Sequence, residues 1–315
     1  MNNKAISLAA LLVCGFCTLA AGQESSSTAA MPFLAVNPDP VASGMGGTAS
    51  RGAFSHFSGI AGTEGEDADV QVGVAYNYFQ PDAYTSHIAA AAGVWKYSDR
   101  LAFTAGVLYR AGEKFNVTSE SGYSMGTFMP FDIRAGIGAS YKIMDGLSAG
   151  LTLNYAQSNS VPEIDGEQQV DRTGFADVQV AYRFSFPLRL AVSATSLGLP
   201  VKSSSGDKYA LPMALRADAD YYIALGDCSL RPSLSVGMYF KGASISASLG
   251  LEYAYKDYVY VRTGGHLSSG ETGLPSYFSL GAGVKLVKCL TLNAAWLYAD
   301  GPMKNTVSAG LSLAL

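Results

Sequence analysis

Charged residues make up only 15% of the 315-residue chain, against about 25% in an ordinary soluble domain, so much of the folded surface is not built to face water. The net charge of −4 is spread along the sequence without a basic block, which argues against nucleic acid as a partner. Beyond residue 22 no apolar run approaches the roughly 18 residues of a spanning helix, so strands that hide apolar side chains in alternation are left.

The chain opens with Lys4 and the apolar run AISLAALLVCGFCTLA, followed by Ala20, Ala21 and Gly22. This pattern predicts a secretory signal peptide over 1–22, cut after Gly22. A lipoprotein would instead begin at Cys14 or Cys17, but Val13 and Phe16 are poor residues to precede a lipid-modified cysteine. Only Cys228 and Cys289 then remain. They begin predicted strands four apart around the wall, too distant for a bridge, and are expected to be free. Residues 23–69 form a different region, Gly-rich and poor in alternation. It is read as a periplasmic or lumen-entering segment that plugs the barrel, with a flexible leader as the alternative for 23–31.

From residue 70 the hydrophobic period is two. In LSAGLTLNY, 147–155, Leu147, Ala149, Leu151, Leu153 and Tyr155 fall on one face and Ser148, Gly150, Thr152 and Asn154 on the other. Such segments predict strands at 70–79, 84–97, 101–110, 131–143, 147–157, 173–184, 188–197, 211–223, 229–240, 244–255, 258–267, 276–286, 289–299 and 304–315. Their lengths suit a tilted bilayer crossing. Every second link is short (98–100, 144–146, 185–187, 224–228, 256–257, 287–288), and all the long links, 111–130, 158–172, 198–210 and 268–275, lie in the alternate set. Tight periplasmic turns and longer external loops are the asymmetry of an outer-membrane barrel, and they put the C-terminus in the periplasm. The expectation is an all-β, 14-stranded antiparallel transmembrane β-barrel over 70–315, in the outer membrane of a Gram-negative bacterium. A soluble β-sandwich, the alternative, predicts neither the short/long alternation nor so few charges.

The same alternation points Arg134, Asp177, Arg183, Arg216, Asp218, Asp220, Glu252 and Arg262 into the lumen. Glu252 and Arg262 lie on neighbouring strands and can pair. These charges form either a polar passage or ligand site, or a salt-bridge network that fills the lumen against the plug. Their mixed signs favour the second. Tyr76, Tyr78, Tyr97, Tyr109, Tyr141, Tyr155, Tyr182, Tyr253, Tyr255 and Tyr298, with Trp95 and Trp296, cluster near strand ends as interfacial girdles. No catalytic constellation is present. His56, His87 and His266 lack metal-ligand spacing, and there is neither G-x-S-x-G nor a phosphate-binding loop, so no enzyme activity, metal or cofactor is expected.

The segment PFLAVNPDPVASGMGGT, 32–48, with Phe33, Leu34, Pro38, Asp39, Gly44, Met45 and Gly46, resembles the N-terminal signature of the PorV/PorQ family, outer-membrane proteins related to FadL-type barrels. SATSLGLP at 193–200, LPMALRADADYY at 211–222, LGLEYAYKDYVYVRTGGH at 249–266 and YFSLGAGVKL at 277–286 are similar to later motifs of that family, in order. Where the family has Asn-Pro-Ala, this chain has Ser58-Gly59-Ile60-Ala61. The resemblance implies an outer-membrane component of the type IX secretion system that handles or attaches exported cargo. Its partners would be outer-membrane lipid, the secretion apparatus and cargo, met through 111–130 and 158–172. A FadL-like passive channel for small hydrophobic molecules is the alternative, with an apolar pocket beside the plug.

Overall fold

Alternation over at least eight residues, interrupted by turn residues, folds residues 70–315 into one closed antiparallel barrel. The computed structural model describes residues 29–48, 50–65, 67–80, 85–119, 121–162, 170–202, 208–269, 273–300 and 303–315. The signal-peptide prediction, and the middle of the 158–172 and 198–210 links, lie outside these residues. Numbered in chain order, the strands are β1 (Val70–Phe79), β2 (Ser86–Ser98), β3 (Leu101–Gly112), β4 (Phe131–Met144), β5 (Leu147–Asn159), β6 (Asp171–Arg183) and β7 (Leu188–Gly198). They continue with β8 (Ala214–Tyr221, resumed at Ile223–Leu225), β9 (Cys228–Tyr239), β10 (Ile245–Tyr255), β11 (Val259–Ser268), β12 (Tyr277–Val287), β13 (Leu290–Ala299) and β14 (Thr306–Ala314). Each pairs with its sequence neighbours, and β1 closes the ring on β14 from Gln71↔Ala314 to Tyr78↔Val307. Closure leaves no strand edge to satisfy in lipid.

The turns explain the two ends. Lys256 and Asp257 both adopt positive φ (52° and 54°), the backbone of a two-residue hairpin whose twist matches its strands. At Lys142–Asp145 the ammonium lies 3.0 Å from the carboxylate and holds the Asp145 carboxyl below its ordinary value. These tight turns share one end with the start of β1 and the end of β14. The opposite end carries the long links. One of them, predicted as plain loop over 111–130, contains its own hairpin, Phe115–Thr118 with Ser124–Phe128.

Apolar side chains face outward: Val107, Ile137, Leu153, Leu249 and Val261 are all exposed on the wall, and Ile137 is 67% exposed. Trp95, Tyr97, Phe103, Tyr141, Tyr182, Tyr253 and Tyr255 ring the short-turn end, and Tyr76, Tyr109, Tyr155, Trp296 and Tyr298 the other. Such belts suit the headgroup levels on the two sides of a bilayer. The buried polar side chains, by contrast, point into the lumen, which inverts the plan of a water-soluble protein.

The wall has a mid-strand irregularity between β6 and β7, where the register shifts between Ala176 and Val178. Ser196 takes a positive φ of 56° there, and its amide is turned to the Asp177 carboxylate, 2.7 Å away. The carboxylate supplies the acceptor that the interrupted ladder does not.

Candidate functional site

The N-terminal segment lies inside the barrel. It starts near the long-link end, where the Ala30 amide donates to Ala210 O at 2.8 Å. It then descends through a 3₁₀ turn at Pro32–Ala35, the short helix α1 (Pro40–Gly44) and 3₁₀ turns at Gly52–Phe57 and Thr63–Gly65, reaching β1 at the short-turn end. Asp39 caps α1, accepting from the Val41 amide at 2.9 Å, with Pro40 in the first helical position where no amide is needed. Phe33 and Leu34 are buried with Phe79, Ile88, Leu297 and Met303.

Glycine on both sides lets segment and wall touch backbone to backbone. Gly46 has φ 71°, and a Cβ there would lie 2.7 Å from Gly265 N, Gly265 O and Leu249 O. From the wall side, a Cβ on Gly250 would lie 2.5 Å from Met45 O, and one on Gly281 would lie 3.1 Å from Gly44 Cα. The Gly44-Met45-Gly46 motif therefore sits in a cradle formed by β10–β12, and Met45 is wholly buried.

Hydrogen bonds fix the rest. Gly46 N donates to Ser279 Oγ (3.0 Å), Arg216 to Gly47 O (2.9 Å), Ala61 N to Gln179 Oε1 (2.7 Å) and Arg189 to Ala61 O (2.8 Å). The buried Glu64 carboxylate accepts from the hydroxyls of Ser140, at 2.6 Å, and Ser148. Arg51 of the segment pairs with Asp220 of β8 at 2.9 Å.

Seven of the eight charges predicted to face the lumen do so, in two groups. Arg134 pairs with Asp177 at 2.9 Å, and its guanidinium lies 5.2 Å from the ring centres of both Phe57 and Phe175. Further round the wall, on β7 and β8, Arg216 pairs with Asp218 (2.7 Å), and Asp220 meets Arg189 (3.4 Å) as well as Arg51. Glu252 accepts from Arg262 at 2.5 Å, with Arg231 at 3.7 Å. Arg183 differs: it has the inward parity but stands exposed at the short-turn end of β6, because alternation reports the side of a wall and not the depth. Arg51, Arg110, Asp132, Arg189 and Arg231 were missed. The strand members among them carry the same parity signal, whereas Arg51 lies in a segment with no period to read.

The histidines are scattered, as their spacing suggests. His56 of the segment bonds Thr104 (3.1 Å), His87 on the outer wall meets Tyr76 (2.5 Å), and His266 bonds Ser248 (2.8 Å) and stacks on Tyr277. Among the described residues no three potential ligands gather to hold a metal. Cys228 and Cys289 are both free.

Between the segment and the wall, in the half of the lumen nearer the long links, is a cavity of about 110 Å³. Leu34, Phe57, Phe79, Tyr277, Leu297 and Met303 give it apolar surface, and Arg134, Asp177, Ser193, Arg216 and His266 give it polar edges. Both arginines on its lining are already paired with carboxylates, so among the described residues the cavity presents no uncompensated guanidinium. A smaller void of about 20 Å³ lies alongside residues 56–60 against β5–β7, and shares Phe57, Ser58, Asp177, Ser193 and Thr195 with the larger one.

Solved structures resemble this arrangement over nearly the whole chain. The CymD monoaromatic hydrocarbon channel superposes with a TM-score of 0.66 at 13% identity, covering 89% of this chain and 98% of CymD. The barrel has the FadL-type fold. The Pseudomonas putida toluene transporter TodX matches at 0.63 with 12% identity, covering 88% of this chain and 98% of its own. A Pseudomonas aeruginosa FadL homologue matches at 0.54 with 12% identity over the same shares. No family model matches the sequence, and no curated protein does. The FadL-type barrel belongs to the Gram-negative outer membrane, and these similarities lend no support to the narrower PorV/PorQ resemblance.

Proposed function

We propose that this FadL-type barrel is a passive channel that admits small hydrophobic molecules across the outer membrane. The observation that carries the reading is the cavity between the N-terminal segment and the wall, about 110 Å³ and lined in part by apolar rings and chains. An enclosed apolar cavity of about 150 Å³ accommodates benzene, whereas drug-sized ligands need about 300 Å³ or more. At about 110 Å³ the cavity is smaller than both, so it takes one ring at most, with some movement of its lining. The structural neighbours include a monoaromatic hydrocarbon channel and a toluene transporter, which agrees with this size. Below the cavity the N-terminal segment blocks the lumen, so it acts as a plug that must rearrange for passage.

The test is uptake of a radiolabelled monoaromatic compound by intact Gram-negative cells with and without the expressed barrel, at concentrations where the lipopolysaccharide leaflet limits entry. Faster uptake that saturates supports the reading; equal rates overturn it. A secretion role is the second reading. It is favoured by the hairpin in 111–130, which stands exposed above the wall with Tyr123 77% and Met125 54% exposed, and by the motif resemblance. Copurification of exported cargo, lost when that hairpin is shortened, would support it over transport.

A further inference from the structure

The place where the two voids meet is polar in a particular way. Ser193 lines both; it is 4% exposed, and its Oγ has no hydrogen-bond partner among the described residues. His56, 2% exposed, lines the smaller void and its Nε2 is likewise without a partner among them. A buried hydroxyl or ring nitrogen left unpaired costs about 1–3 kcal/mol, so something is expected to meet it.

The charged neighbour is already committed. Asp177 accepts from Arg134 Nη2 (2.9 Å), Thr152 Oγ1 (3.1 Å), Asn154 Nδ2 (3.1 Å) and the Ser196 amide (2.7 Å). Arg134 in turn donates from Nε to Asn154, and its guanidinium lies over the rings of Phe57 and Phe175. What this corner offers a visitor is a neutral hydroxyl and an imidazole nitrogen, at the inner edge of a partly apolar cavity that takes one ring at most.

We infer that the site prefers ring-sized molecules bearing one uncharged hydroxyl, phenols above all, to hydrocarbons and to carboxylates of the same size. The ring occupies the larger void beside Phe57, Phe79 and Tyr277, and the hydroxyl reaches Ser193. A carboxylate would surrender its hydration without finding an unpaired cation among the described residues of the lining. A hydrocarbon would fill the volume but leave Ser193 as it is. This inference rests on the channel reading and narrows its substrate class.

The test uses the purified full-length barrel in detergent and three near-isosteric probes: p-cresol, p-xylene and p-toluate. Affinities are measured by competition NMR, and each is corrected for the probe's partition into protein-free micelles. The expected result is that p-cresol binds tightest, that Ser193→Ala weakens p-cresol on the order of fivefold, and that p-xylene binding is unchanged by the substitution. Unchanged p-xylene binding also shows that the variant is folded. Equal or tighter binding of p-xylene, a p-cresol affinity indifferent to Ser193→Ala, or tightest binding of p-toluate would each overturn the inference while leaving a channel in place. Binding of none of the three would overturn the channel reading itself.

Discussion

Replacing Gly250 with alanine probes the contact between plug and wall with a single methyl group. The added Cβ would lie 2.5 Å from Met45 O and 2.8 Å from Met45 Cβ, where ordinary contact begins at 3.4 Å, so the plug must retreat by about 0.9 Å. Gly250 has no positive φ, so the strand itself tolerates alanine. The strain falls on the plug, because the nearest obstructing atom is plug backbone that no rotamer change can move. Overpacking of this kind costs about 1–3 kcal/mol, which raises the undocked population about 5- to 150-fold. Gly174→Ala is the control, since its Cβ would meet only Asn154 O, at 3.9 Å. The assay is the rate of protease cleavage within residues 31–65 in detergent, with heat-modifiability on gels reporting that the barrel is intact. Faster cleavage in Gly250→Ala alone is expected. Identical rates in both variants would refute the close packing inferred for the cradle.

Three further outcomes follow from other contacts. In a background with Cys228 and Cys289 replaced by serine, Gly44→Cys with Ala295→Cys should form a disulfide, because the two Cβ positions are 3.5 Å apart and Gly281 Cα at 3.1 Å needs to yield only slightly. Uptake should then fall on oxidation and recover on reduction; undiminished uptake by the oxidised barrel would show that the plug's centre need not move. Glu252→Gln should lower the barrel's unfolding free energy in lipid vesicles by about 3–5 kcal/mol, since it strips charge from between Arg262 and Arg231. A loss below about 1 kcal/mol would mark that cluster as no more than a surface pair. Ile137→Arg, midway along β4 and facing outward, should cost about 2–4 kcal/mol in the same vesicle titration if the wall meets lipid there.

The barrel was legible because its physics is local. A period of two with alternating link lengths fixes strand number and orientation from single residues such as Leu151 and Thr152, and the same parity turned Arg134 and Asp177 inward and brought Glu252 within reach of Arg262. Depth was not legible, which is why Arg183 was expected in the lumen and stands at the rim. Nor was the break at Tyr222, the bulge at Ser196, or the hairpin within 111–130, since none shows up in a hydrophobic period. The plug's path depends on long-range contacts, Gly46 to Ser279 and Ala61 to Gln179, that leave no periodic trace. The family motifs also have a packing reason. Gly44-Met45-Gly46 and the glycines of LGAG occupy positions where plug and wall backbones meet, and any barrel filled this closely requires small residues there.

The glycine cradle also constrains how the molecule can be assembled. Atoms of Met45 and Gly46 lie against the backbone of β10–β12, while α1 and the turns below it are flanked by strands on every side and β1 is sealed to β14. With the wall sealed laterally, residues 31–65 can enter or leave their seat only along the barrel axis, and only because Gly250, Gly264 and Gly281 put no side chain in their path.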